Sequence, residues 1–293
     1  ISPEEVLFCT GSYRFGNRTY RCWRKGGHGK VKLHRAVVES CDVFFYQVGQ
    51  RVGIDTLAKY AKGFGLGKPT AISLRDEKPG LIPTSEWKKQ IYDEPWYEGE
   101  TLSCAIGQAY ILVTPLQLLN VISSIANGGT LYIPQIVERV ETANGKVVKS
   151  YPPIPRGKIP LTPENLTIIR EALHGVVNEA RGTGRISRIR GTIVSGKTGT
   201  AQVISLREDI EEEDLPYEYR DHAWFVAYAP MDNPVISVVV LVEHGGHGAS
   251  AAAPIAREVM RKYLTIIKEE EKVASFTAWR KDLHSIDSRD SIR

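Results

Sequence analysis

Apolar residues recur along this chain with two periods, and the points where the period changes divide it into elements. Helical spacing is clearest after Thr114, where Leu116, Leu119, Val121, Ile122 and Ile125 form one face. Pro115 suits the first helical position, Gln117 completes a capping box with Thr114, and Asn127-Gly128-Gly129 ends the segment. A second helix opens at Thr162-Pro163-Glu164, carries Leu166, Ile169, Leu173, Val176 and Val177, and stops near Gly182. A third follows Ser250 and Pro254 with Ile255, Val259, Met260, Tyr263, Leu264 and Ile267. Shorter helical patterns cover Leu33, Ala36 and Val37, then Val43, Phe44, Phe45 and Val48 beyond a polar break at Glu39-Ser40-Cys41-Asp42. Residues 53–65 read as one more helix, with Leu57, Tyr60 and Ala61 inward.

Strand patterns fill most of the rest. Residues 223–229 and 235–242 are joined by Pro230-Met231-Asp232-Asn233-Pro234, a link short enough to make them an antiparallel hairpin. Residues 133–142 and 146–151 flank Ala143-Asn144-Gly145, another hairpin signal, and 152–160 read as a spacer. The stretch 68–97 is rich in Pro and charge and reads as irregular surface; 99–108 reads as too loop-like to be core only. From Lys268 onward charges dominate, so 268–293 is expected to be a disordered tail.

At 293 residues the chain fills one large domain or two small ones, and 42% hydrophobic with 25% charged residues is ordinary for a globular protein. The net charge of +4 is small and its basic residues are scattered, which argues against a nucleic-acid partner. No apolar run is long enough to span a bilayer, and the longest, 235–242, is strand-sized. The start, Ile-Ser-Pro-Glu-Glu, reads as the middle of a longer protein and leaves the compartment open.

Chemistry concentrates in residues 194–203, where Lys197 lies among Ser195, Thr198 and Thr200 and beside Gly196 and Gly199. Residues 191–198 satisfy G-x-x-x-x-G-K-[ST], the phosphate-binding loop, but Thr192-Ile193-Val194-Ser195 is strand-like and no helix start follows Thr198. The competing reading is Lys-Thr-Gly on a strand: an ammonium and two hydroxyls for a substrate carboxylate, with small Gly199 letting another backbone lie close.

Cys9, Cys22, His28 and Cys41 follow the spacing Cys-x12-Cys-x5-His-x12-Cys, a complete donor set for tetrahedral zinc, although cysteines in an exported protein also form disulfides. Cys104, far from these in sequence, reads as a buried free thiol. Tyr20 and Trp23 around Cys22 read as packing. Ser40-Cys41-Asp42 reads locally as a helix N-cap. Ser85-Glu86-Trp87-Lys88 is the only Ser-x-x-Lys and its polar setting marks it as chance. The acidic loop 206–221 is either solvated or a lid over the lysine strand, and His244 and His247 sit in a Gly-rich turn with either a metal role or none.

Together, Ser40-Cys41-Asp42, Gly99-Glu100-Thr101, Ile106-Gly107-Gln108, Thr114-Pro115-Leu116-Gln117 and Lys197-Thr198-Gly199-Thr200-Ala201-Gln202 resemble the transpeptidase domain of class B penicillin-binding proteins, over about residues 1–267. The resemblance is to their elongation-type members. It implies an α/β (α+β) transpeptidase fold, an antiparallel sheet flanked by helices, incomplete at its N-terminus. It also implies a peptidoglycan D,D-transpeptidase that needs no catalytic cofactor. In such an enzyme a serine in Ser-x-x-Lys attacks the D-Ala-D-Ala bond and the acyl group passes to a neighbouring amine.

Carried over by motif, Ser40 relays protons to the leaving group and Asp42 stands where the family usually has Asn. Lys197 supplies positive potential; Thr198, Gly199 and Thr200 bind the peptide terminus, with the Thr200 N–H as an oxyanion donor. The expected partners are stem peptides, β-lactams, a SEDS-type glycosyltransferase and elongation-complex proteins, at the periplasmic face of the bacterial inner membrane. Elongation-type members also carry zinc beside Ser-x-Asp, where Cys9, Cys22, His28 and Cys41 fall. No Ser-x-x-Lys precedes Ser40, so the nucleophile and membrane anchor are expected upstream and this piece alone is expected to be inactive. A β-lactamase or β-lactam sensor of the same fold would lack the Gly-Glu-Thr to Thr-Pro-Leu-Gln segment, and a non-catalytic scaffold would lack the nucleophile altogether.

Overall fold

The strand-period residues after Val194 become the centre of the molecule. The computed structural model describes residues 1–203 and 215–287. In chain order, β1 (Leu7–Cys9), β2 (Ser12–Phe15), β3 (Arg18–Arg21) and β4 (Gly29–Val31) form two antiparallel pairs, β1 with β4 and β2 with β3. Then come α1 (Leu33–Val38), α2 (Asp42–Val52), α3 (Ile54–Gly63), α4 (Ser85–Tyr92), α5 (Glu98–Ala105) and α6 (Pro115–Ala126). Strands β5 (Thr130–Ile133), β6 (Arg139–Glu141), β7 (Val147–Ser150) and β8 (Ile154–Lys158) form two further pairs, followed by α7 (Pro163–Asn178). The chain closes with β9 (Ser195–Ala201), β10 (His222–Ala229), β11 (Ile236–Val242) and α8 (Ala252–Asp287).

The central sheet is antiparallel, in the order β11-β10-β9, so β9 is an edge strand among the described residues. Side chains on β10 alternate between its faces. Ala223, Phe225 and Ala227 pack with Ala252, Ala256 and Met260 of α8, whereas Val226 and Tyr228 join Ile122 and Ile125 of α6 and Leu173 of α7. Burying Phe225 and Met260 completely is worth roughly 1.5–3 kcal/mol each. Helices on both faces thus fix the sheet and leave the β9 edge open to Ser40.

Local signals survive well where they are strong. Thr114 and Gln117 form the expected reciprocal cap on α6, and Gln117 donates besides to the Lys68 and Pro79 carbonyls. Thr162 caps α7, and the Ala143-Asn144-Gly145 turn joins β6 to β7. Other expectations are corrected. The supposed spacer 152–160 contains β8, which pairs with β5; Pro155 is tolerated because the sheet has only two strands. Inside 68–97 lies α4, capped by Thr84, and the 99–108 stretch is largely α5, whose Leu102 is fully buried. Tyr60 is exposed, with Ile54 and Ala58 taking the inward face of α3. The charge-rich stretch from Lys268 is helical as far as Asp287: Glu269, Glu270, Glu271 and Lys272 are good helix formers and no Gly or Pro interrupts them.

Candidate active site

The site begins with the way α1 ends. Ser40 adopts φ 54°, the left-handed region, directly after the helix. The Ser40 N–H bonds to the Val37 carbonyl at 3.3 Å and the Cys41 N–H to Ala36 at 2.9 Å, the paired bonds of a Schellman stop. Glycine is usual at that position, because a Cβ there costs about 1–2 kcal/mol. Here the turn is held from outside: the Trp23 indole N–H donates to the Glu39 carbonyl at 3.0 Å and to the Ser40 carbonyl at 2.8 Å. Trp23 is therefore a clamp on the serine turn rather than packing. Nor does Ser40 or Asp42 cap α2. Cys41 is the N-cap without a side-chain bond, and Asp42 Oδ2 instead accepts the Trp23 backbone N–H at 2.9 Å.

Lys197 crosses from β9 to this turn. Its Nζ donates to Ser40 Oγ at 2.8 Å and to the Thr198 carbonyl at 2.8 Å, so two residues 157 apart in sequence meet in one cleft. Because the ammonium supplies the proton of that bond, the Ser40 hydroxyl hydrogen is free to be donated elsewhere. Burial pushes Lys197 down to about 8, against the pull of Asp42, and burial pushes Asp42 up to about 7 although the Trp23 N–H opposes it. Thr198 Oγ1 lies 2.8 Å from Thr183 Oγ1, a partner the sequence did not indicate. The backbone expected to lie close to Gly199 turns out to be the chain's own: a Cβ on Gly248 would stand 2.4 Å from the Gly199 carbonyl oxygen.

Behind Ser40, all four expected metal donors converge. Cys9, Cys22, His28 and Cys41 are buried, their donor atoms all lie within 4.8 Å of one another, and the cysteines are free thiols. His28 Nδ1 is 3.6 Å from Cys9 Sγ and 3.4 Å from Cys22 Sγ, against about 3.5 Å for the N–S edge of a tetrahedron with standard zinc bond lengths. His28 Nε2 has no hydrogen-bond partner and lies 4.0 Å from the Glu39 carboxylate, the kind of group that orients a ligating imidazole when it comes within hydrogen-bond reach. Burial opposes ionisation of Glu39, but Arg35 overrides it and, with Arg24 and Arg181 nearby, keeps the carboxyl low. A hydrogen bond between them pushes the Cys22 thiol down and Cys41 up, so the pair already favours one thiolate. The donor set fits a tetrahedral metal ion.

The sequence profile described as "Penicillin binding protein transpeptidase domain" matches residues 1–261. The chain belongs to this family. Among curated relatives, it is 40% identical over 272 residues to the peptidoglycan D,D-transpeptidase MrdA of Haemophilus influenzae, covering 90% of this chain and 41% of that protein. The chain thus spans about two-fifths of that relative's length. Among solved structures, a complex of penicillin-binding protein PBP2 with MreC from Helicobacter pylori aligns with TM-score 0.77 at 31% identity, covering 91% of this chain and 46% of that one. Pseudomonas aeruginosa PBP2 in complex with WCK 5153 aligns with TM-score 0.75 at 35% identity, covering 90% and 56%. The expected transpeptidase fold is therefore the fold observed.

Other chemistry in this transpeptidase domain lies apart from the cleft. Ser85 and Lys88 are not paired: Ser85 Oγ donates to Asp55 at 2.6 Å, while buried Lys88 bonds Glu100 at 2.5 Å under Tyr97. Cys104 is a buried free thiol in α5. His244 is tied into its turn, its N–H donating to His222 Nδ1 at 2.9 Å and its ring against Tyr217. The acidic core Glu211-Glu212-Glu213-Asp214 of the candidate lid lies outside the described residues. Gln108, noted only as part of a motif, reaches the strand itself: its Nε2 donates to the Thr200 carbonyl at 2.8 Å and its Oε1 accepts the Gln202 N–H at 3.2 Å.

Proposed function

We propose that this chain is the larger part of the transpeptidase domain of an elongation-type peptidoglycan D,D-transpeptidase, acting by serine acyl-enzyme chemistry. The observation that carries the reading is the Lys197 ammonium on the Ser40 hydroxyl at 2.8 Å, on a strand with two threonines and, among the described residues, no second strand neighbour. The serine nucleophile is supplied by a Ser-x-x-Lys segment preceding this stretch, as the motif order of the family requires. A donor stem peptide lies extended along β9, its terminal carboxylate drawn by Lys197 and bound by the Thr198 and Thr200 hydroxyls. When the nucleophile attacks the penultimate carbonyl, negative charge develops on its oxygen and the Thr200 N–H stabilises it. The attacking serine hands its proton to the lysine of its Ser-x-x-Lys segment; Ser40 passes its own hydroxyl hydrogen to the departing D-alanine nitrogen and is reprotonated from that lysine, while Lys197 and the Trp23 clamp keep it oriented. The acyl group then transfers to the amine of a neighbouring stem peptide, and β-lactams acylate the same serine.

Cys9, Cys22, His28 and Cys41 hold a structural zinc ion in this reading. When bound, the metal neutralises the thiolates and ties the β1–β4 hairpins to Cys41, next to Ser40. The protein works at the periplasmic face of the inner membrane with elongation-complex partners; the complex of the H. pylori relative with MreC supports the partner reading.

Labelling the protein together with its upstream segment by a fluorescent penicillin should give a covalent adduct that Lys197→Ala removes. Normal labelling of that variant would reject the role given to Lys197. Elemental analysis of the purified protein should find one zinc per chain, lost in Cys22→Ala; a metal-free wild type, or a Cys9–Cys22 disulfide, would reject the four-donor site.

A further inference from the structure

The open edge of β9 carries a guest. In an antiparallel ladder, successive residues point their N–H and C=O alternately to one neighbour and to the other. Thr198, Thr200 and Gln202 are the residues that face away from β10: Lys197 Nζ reaches the Thr198 carbonyl, and Gln108 takes both the Thr200 carbonyl and the Gln202 N–H. The Gln108 carboxamide thus stands where the backbone of an added strand would stand. Its own backbone is pinned, with the Gln108 N–H on the Ser103 carbonyl at 3.0 Å. Movement at this place therefore means rotation of one side chain.

An extended peptide that sets its scissile carbonyl on the Thr200 N–H meets a conflict. In a hydrogen-bonded antiparallel pair the two opposed residues exchange both bonds, so the same peptide residue must put its N–H on the Thr200 carbonyl. Gln108 holds that position. We propose that Gln108 is a displaceable plug on the peptide track, giving up the Thr200 carbonyl to the backbone N–H of the donor peptide or to the acylamino N–H of a β-lactam. This rests on the transpeptidase reading above and adds a specificity-determining residue to it. Ligands that bring an amide N–H must exchange it for the Gln108 bond; ligands with no group at that place leave the plug seated.

The test measures second-order acylation rates on the protein with its upstream segment, using two penams: one with an acylamino side chain and one unsubstituted at that ring carbon. Gln108→Ala should acylate about 3- to 10-fold faster with the acylamino penam, the equivalent of one net hydrogen bond, and at the wild-type rate with the unsubstituted one. Gln108→Glu should follow it, because a carboxylate still accepts the Gln202 N–H but cannot donate to Thr200. Equal slowing of both penams, which marks a mere prop for the strand, overturns the plug. So does an unchanged rate with the acylamino penam, or a Gln108→Glu variant that behaves as wild type. Wild-type protein that takes up neither penam overturns the transpeptidase reading itself.

Discussion

Replacing Lys197 by Met separates what the ammonium does for chemistry from what it costs the fold. Methionine matches the length and apolar stem of lysine but carries no charge. Burial lowers Lys197 from 10.5 to about 8, which at about 1.4 kcal/mol per pH unit is a penalty of about 3 kcal/mol on the charged form. The variant forfeits the ammonium's bonds to Ser40 Oγ and the Thr198 carbonyl, each worth about 1.5–3 kcal/mol net because the donor is charged. At pH 7 Lys197→Met should therefore be no more stable than wild type, and up to about 3 kcal/mol less stable, in urea unfolding, while losing covalent penicillin labelling. The pH dependence fixes the cause. Below about 8 the folded state carries the full penalty. Between there and 10.5 the unfolded chain holds the proton more tightly than the folded one, so wild-type stability rises and the variant falls further behind. A variant more stable than wild type at pH 7, or a difference that does not widen by pH 10.5, would refute the reasoning.

Two further substitutions probe the frame of the site. Trp23→Phe keeps the ring but deletes the indole N–H that holds the Glu39 and Ser40 carbonyls; unfolding should show a loss of about 1–2 kcal/mol, with slower acylation. Wild-type rates would show that the Ser40 turn needs no clamp. Gly248→Ala would push a Cβ to within 2.2 Å of the Trp224 carbonyl oxygen and 2.4 Å of that of Gly199. Backbone on both sides cannot yield cheaply, so thermal unfolding should report a loss above about 2 kcal/mol, and a neutral result would contradict the packing.

Elements announced by their own ends were legible in the sequence. Thr114, Pro115 and Gln117 declare α6, Thr162 and Pro163 declare α7, and the short link between β10 and β11 declares their pairing. Elements held by tertiary contacts were not. Helix α4 has few apolar residues of its own and is fastened through Thr84, Asp55 and the Lys88–Glu100 pair. Strands β1 to β4 have three or four residues each, too few for a period to show. The site divided in the same way. Lys197 and its threonines stood out by local concentration, but Ser40 looked like an ordinary cap until family motifs singled it out. Trp23, Thr183 and Gln108 act through partners 15 to 94 residues away, a separation that leaves no local pattern.

The most direct test is a crystal structure of the penicillin adduct of the protein with its upstream segment. The ligand carboxylate should lie about 3 Å from the Thr198 and Thr200 hydroxyls, and the former lactam carbonyl oxygen at the same distance from the Thr200 N–H, with Ser40 Oγ beside the opened ring nitrogen. An ordered adduct seated away from β9, with Ser40 and Lys197 untouched, would contradict the account.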